Sequence, residues 1–136
     1  MNTRLLPLTV LLLLIHVPAD AHHSFAVHFD DERIISVKGV VTDFRFTNPH
    51  GRIYLTVINA SGDEEQWQAE TNSPNILRRR GWSDTSVVKG DNVTIEGYPA
   101  RDGSNYIRIT RVLFEDGREL VGQNRSVAET SAPQKE

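Results

Sequence analysis

Between Ile34 and Phe114 apolar side chains recur at every second position, in short runs separated by Gly, Asn and Asp. Such alternation buries one side of a strand and leaves the other to solvent. The clearest run is Arg52–Ile58, with Ile53, Leu55 and Val57 on one side and Arg52, Tyr54 and Thr56 on the other. Before it, Ile34–Phe46 is a long β-prone run interrupted by Gly39, where a bulge or sharp coil is expected. After it, Glu65–Glu70 carries Trp67 and Ala69 on one face, and Asn92–Tyr98 repeats the pattern through Val93, Ile95 and Gly97. In Tyr106–Phe114 the phase slips from Ile107 and Ile109 to Val112 and Phe114, which predicts a bulge near Thr110. The breaks are turn sequences: Asn48-Pro49-His50-Gly51, Asn59–Asp63, Lys89-Gly90-Asp91, Asp102-Gly103 and Asp116-Gly117.

One segment departs from this period. Ser73-Pro74 is an N-cap followed by proline at the first helical position, and Gly81 supplies the stop. A short helix over Asn75–Arg80 follows, with Arg78, Arg79 and Arg80 in its last turn, where cations suit the helix dipole. Trp82 is placed to pack back on it. The order is three strands, a helix, then two strands, with a long coiled first strand. That order gives an all-β fold with one short helix, an OB-type five-stranded partly open barrel. A small β-sandwich plugged by the helix is the alternative.

The N-terminus has a different pattern. Arg4 precedes an apolar run, Leu5–Val17, that includes Leu11–Leu14, and Pro18-Ala19-Asp20-Ala21 ends it. This is the form of a signal peptide cleaved after Ala21, and its core is shorter than the ~20 residues a spanning helix needs. The expected organisation is a signal peptide over 1–21, an N-terminal arm over 22–33, the barrel domain over 34–121 and a disordered polar tail over 122–136. Cleavage would leave a periplasmic or secreted domain without a stable membrane anchor. Retention of the segment as an anchor is the alternative.

Composition narrows the chemistry. The chain has no cysteine, which removes disulfides, thiolate metal ligands and thiol nucleophiles. Its 15 Lys and Arg against 18 Asp and Glu give a net charge of −3, a poor balance for binding a phosphate backbone. No nucleophile motif and no phosphate-cradling glycine loop occurs, so enzymatic activity is left open and a non-catalytic role is preferred.

Several local sequences are familiar together: His22-His23-Ser24-Phe25, Thr47-Asn48-Pro49-His50, Ser73-Pro74-Asn75 with Leu77, Arg79-Arg80-Gly81-Trp82, and Gly97-Tyr98 ahead of Asp102-Gly103-Ser104. They span about His22 to Leu120. In these the chain resembles an uncharacterised family of small exported bacterial proteins, known only as a domain of unknown function. The resemblance implies export and an OB-like barrel, and it implies no activity. Gly51 departs from it, standing where a larger residue is the rule.

Outside the signal segment the histidines are His22, His23, His28 and His50, all toward its beginning. If the chain starts at His22, its α-amine and Nδ1 can chelate one metal ion together. A third nitrogen from His50, or from His28, would complete a set that favours copper, with zinc as the other candidate. His23 is a further possible ligand. The arm, reaching at most ~40 Å, can just fold back along a first strand of similar length to meet His50. The competing reading is ordinary: a frayed N-terminus, a turn histidine at His50 and a solvent-facing His28 on a short strand. A metal-free OB binding module for an envelope protein or a glycan is the second functional class. Its surface would be the face of strands two and three, with Arg52, Tyr54, Gln66 and Gln68.

Overall fold

The computed structural model describes residues 23–123. The expected signal segment, His22 and the tail beyond Gln123 lie outside the described residues. No described helix is long and apolar enough to cross a membrane.

The alternating runs form the strands β1 (Ile35–Arg45), β2 (Arg52–Ile58), β3 (Glu64–Glu70), β4 (Asn92–Pro99) and β5 (Tyr106–Phe114). A short β6 (Glu119–Val121) pairs on β5. The sheet order is β3-β2-β1-β4-β5-β6, and a parallel pairing of β3 with β5 closes it into a five-stranded barrel. This is the OB-type arrangement expected from the order of elements. Two short helices accompany it, α1 (His23–His28) and α2 (Pro74–Arg79).

The interior is what alternation predicts. Val41, Ile53, Leu55, Ala69, Val93, Ile95, Ile107, Ile109 and Val112 are buried in one cluster. Leu77 of α2, together with Trp82 and Val87 of the following loop, joins the same cluster. Helix α2 begins at Pro74, with Ser73 extended before it and its carbonyl accepting from Ile76 and Leu77. It ends at Arg79, Arg80 caps it, and Gly81, at φ 86°, turns the chain so that the Trp82 amide returns to the Leu77 carbonyl. The Trp82 indole N–H donates to the Val121 carbonyl at 2.9 Å, tying the helix loop to β6.

Two irregularities shape the barrel. Thr110 is the extra residue on β5, since Glu96 faces Arg111 while Gly97 faces Ile109. The bulge therefore lies where the phase slip put it. In β1 the extra residue is Thr42, between Val41↔Leu55 and Asp43↔Tyr54, rather than Gly39. Gly39 does something else: a Cβ there would stand 2.6 Å from the Thr56 carbonyl oxygen. It permits the close approach where β1 passes from pairing with β4 (Ile35–Val40) to pairing with β2 (Val40–Arg45).

The arm is helical, which the sequence pattern did not suggest. A six-residue helix has little stability of its own. Here packing supplies it. Phe25 and Phe29, four residues apart, stack 5.6 Å from each other; Phe25 meets the Tyr98 ring edge-on at 5.7 Å and Phe29 meets the Tyr106 ring at 5.1 Å. Backbone bonds then pin the arm to the β4–β5 hairpin: Asp30 N to Pro99 O and Arg101 N to His28 O, both 2.9 Å. His28 follows the helix onto this hairpin instead of sitting on a strand.

Candidate functional site

Strand alternation sends Ile53, Ala69, Ile107 and Ile109 into the barrel, so Arg52, Glu70, Tyr106 and Arg108 emerge on its outside. Register brings them together. Arg52 faces Glu70 across β2–β3, Glu70 faces Arg108 across the parallel β3–β5 pair, and Tyr106 stands two residues back. The pairing that closes the barrel thus assembles a polar cluster on its outer wall. Helix α1 lies over one side of that wall. Between them is a cleft of about 530 Å3 lined by Phe25, His28, Phe29, His50, Glu70, Tyr106 and Arg108.

Glu70 is the hub. It is 7% exposed, and both its oxygens are occupied. One accepts from Arg108 Nη1 at 2.7 Å and lies 2.8 Å from His50 Nδ1. The other accepts from the Tyr106 hydroxyl and, at 3.4 Å, from Arg52 Nη2. Burial alone would raise the Glu70 pKa. The Tyr106 hydrogen bond and the charges of His50, Arg108 and Arg52 outweigh it, so the carboxylate is held below its ordinary value. Burial, and then the bond to Glu70, push the Tyr106 phenol up to about 12, so it stays a proton donor. Burial also lowers the Arg108 pKa, against the pull of Glu70. Arg108 makes two further bonds, Nη2 to Asn72 Oδ1 at 2.9 Å and Nε to Gln123 Oε1 at 3.2 Å. Asn72 and Arg80 in turn donate to the Gly122 carbonyl, and Gly122 itself is buried.

The loop before β2 fixes His50. It carries a cis Asn48–Pro49 peptide. Gly51 donates to the Asn72 carbonyl at 3.0 Å, and its own carbonyl accepts from Thr71 at 2.9 Å. A Cβ on Gly51 would lie 3.1 Å from Thr71 Cγ2 and 3.3 Å from Leu77 Cδ1, so the small residue lets this loop press against α2. His50 is thereby delivered to Glu70. An ionised carboxylate can only accept, so a proton on His50 is best placed on Nδ1, the ring nitrogen nearer Glu70. Its Nε2 makes no hydrogen bond among the described residues. A carboxylate on one ring nitrogen with the other left open is the usual support of a metal-ligating histidine.

Of the four histidines expected at a metal site, the structure brings His50 and His28 to one cleft. His22 and the side chain of His23 lie outside the described residues, though the backbone of His23 opens α1. Among the described residues no group of three or more His, Asp or Glu side chains is placed to hold a metal. Arg52, Tyr54, Gln66 and Gln68 do share the outer face of β2–β3, with Tyr54 opposite Gln68 and Thr56 opposite Gln66. Three of them are engaged there: Arg52 with Glu70, Tyr54 under Arg45 at 4.9 Å, and Gln66 donating to Thr56 Oγ1 at 3.0 Å. Glu70, Tyr106, Arg108 and Asn72 escape a reading of the sequence. Glu70 and Arg108 meet only through the parallel β3–β5 register, which local composition does not encode.

No curated protein matches the chain. The arrangement of a buried carboxylate, its arginines and an oriented loop histidine is carried on a sequence whose residues 10–107 match a family of unknown function, DUF6152, and the chain belongs to that family.

Proposed function

We propose that the protein is an exported metal-binding protein, with copper as the metal, held by His50 Nε2 and by the α-amine and imidazole of His22 after cleavage at Ala21. The observation that carries this reading is the 2.8 Å contact of His50 Nδ1 with Glu70, on a ring that lines the cleft beside the N-terminal helix and makes no hydrogen bond through Nε2 among the described residues. The docking of α1 supports it further. Phe25 and Phe29 of α1 line the same cleft as His50, the side to which a ligand from the N-terminus would have to come. His28, on the cleft wall, is the alternate third ligand, and His23 is adjacent in sequence. Imidazole and amine donors suit Cu(II); zinc is the weaker form of the same proposal.

The test is a Cu(II) titration of the exported protein, its N-terminus verified by mass, followed by electron paramagnetic resonance. A one-to-one site with nitrogen hyperfine structure is expected. It should be lost in His50→Ala and in a form carrying one extra residue before His22. Binding that ignores both changes would leave the chain as a metal-free module.

A further inference from the structure

The charges around the cleft do not balance. Arg52 and Arg108 face a single carboxylate, Glu70, and His50 adds a further positive charge whenever it is protonated. Arg108 is largely buried, its side chain 9% exposed, and its other acceptors, Asn72 and Gln123, are neutral. A buried cation with too little negative charge beside it is costly, and such a site favours an anion. Donors for one are present. The bonds to Glu70, Asn72 and Gln123 use three of the five N–H groups of a guanidinium, leaving one each on Nη1 and Nη2. The Nε of Arg52 is buried with no partner. Arg52 stands on the far side of Glu70 and does not line the cleft; Arg108 does, beside the apolar walls of Phe25, Phe29 and Tyr106, and a cleft of about 530 Å3 is the size that takes a small organic molecule.

We infer that this cleft binds a small organic monocarboxylate, its carboxylate on the free N–H groups of Arg108 and its apolar body against Phe25, Phe29 and Tyr106. The site needs no metal.

Benzoate is the probe and benzamide, with the same ring and no charge, is the control. Each is titrated into the protein with chelator present, and the backbone amides of Phe25–Phe29 and Tyr106–Arg108 are followed by NMR. Saturable shifts confined to these segments are expected with benzoate, with benzamide about tenfold weaker or more. Arg108→Gln should abolish binding. Because that variant breaks a buried pair and can fail to fold, Arg52→Gln is the deciding variant. It removes the surplus charge from the more exposed side and should weaken benzoate about fivefold. Equal binding of benzamide, shifts that do not saturate, or unchanged affinity in Arg52→Gln would overturn the proposal. Since copper is absent throughout, failure here and failure of copper binding are separate results.

Discussion

Strand β5 carries two arginines three residues apart, and each is paired with a glutamate directly across the sheet. Arg111 meets Glu96 on the antiparallel neighbour β4, at 2.7 Å, with the side chains 35% and 18% exposed. Arg108 meets Glu70 on the parallel neighbour β3, also at 2.7 Å, with both side chains 9% exposed. The distances are the same and the surroundings are not. Glu96 shares Arg111 with Glu119 at the sheet surface, where water can replace any partner. Glu70 holds His50, Tyr106 and two arginines, and α1 covers that wall. Distance alone therefore says little about what an ion pair does. Burial and the number of donors on one carboxylate separate a surface staple from a cluster that positions a histidine.

The largest effect is expected at Glu70. Glu70→Gln keeps the shape, removes the charge and leaves Arg108 buried without its counter-ion, which should cost about 3 kcal/mol in urea unfolding. Glu96→Gln, the matching change on the other pair, should cost about 1 kcal/mol or less. Equal losses would mean that burial does not distinguish the two.

The same contrast should appear against pH. The folded-state pKa of Glu70 is depressed from its ordinary value of 4.5, so its contribution is full above that value. It is lost as pH falls through the lower, folded-state value. Unfolding midpoints measured from neutral to strongly acidic solution should therefore fall more steeply for the native protein than for Glu70→Gln. Tyr106 runs the other way. Its pKa is raised from 10.0 to about 12, so its contribution is present below 10.0 and lost as pH rises toward about 12. Tyr106→Phe should cost about 1–2 kcal/mol near neutrality and flatten the alkaline limb.

A smaller and more local effect is expected at Phe25. Phe25→Ala removes the contacts with Phe29 and Tyr98 that dock α1. Hydrogen exchange should quicken at the arm and at Arg101 N, whose acceptor is the His28 carbonyl. The barrel strands should stay protected. Faster exchange throughout the barrel would make the helix part of the core rather than a cover over the cleft.

Legibility divides along the same line. The barrel interior follows from period-two alternation, which depends only on neighbours in sequence. It located β2, β4 and the Thr110 bulge, and Ser73-Pro74 with Gly81 located α2. The first strand's bulge at Thr42 was missed because glycine is a general sign of irregularity. At Gly39 it answers a close approach between strands. Helix α1 was missed because its stability comes from Tyr98 and Tyr106, far along the chain. His50 could be singled out as a histidine in a turn, but not the carboxylate that orients it. Glu70 is joined to His50, Arg52, Tyr106 and Arg108 only through register across three strands, and nothing in local composition encodes that.

The most direct test of the account is the state of the His50 ring, read by 15N NMR of the imidazole in the protein beginning at His22. Without metal, the proton of the neutral ring should reside on Nδ1, bonded to Glu70, with Nε2 carrying the lone pair. Addition of one equivalent of Cu(I), which is diamagnetic, should shift the Nε2 resonance and leave the Nδ1 proton in place. A neutral ring protonated on Nε2, or an Nε2 resonance indifferent to the metal, would contradict the claim that Glu70 holds His50 ready for a ligand.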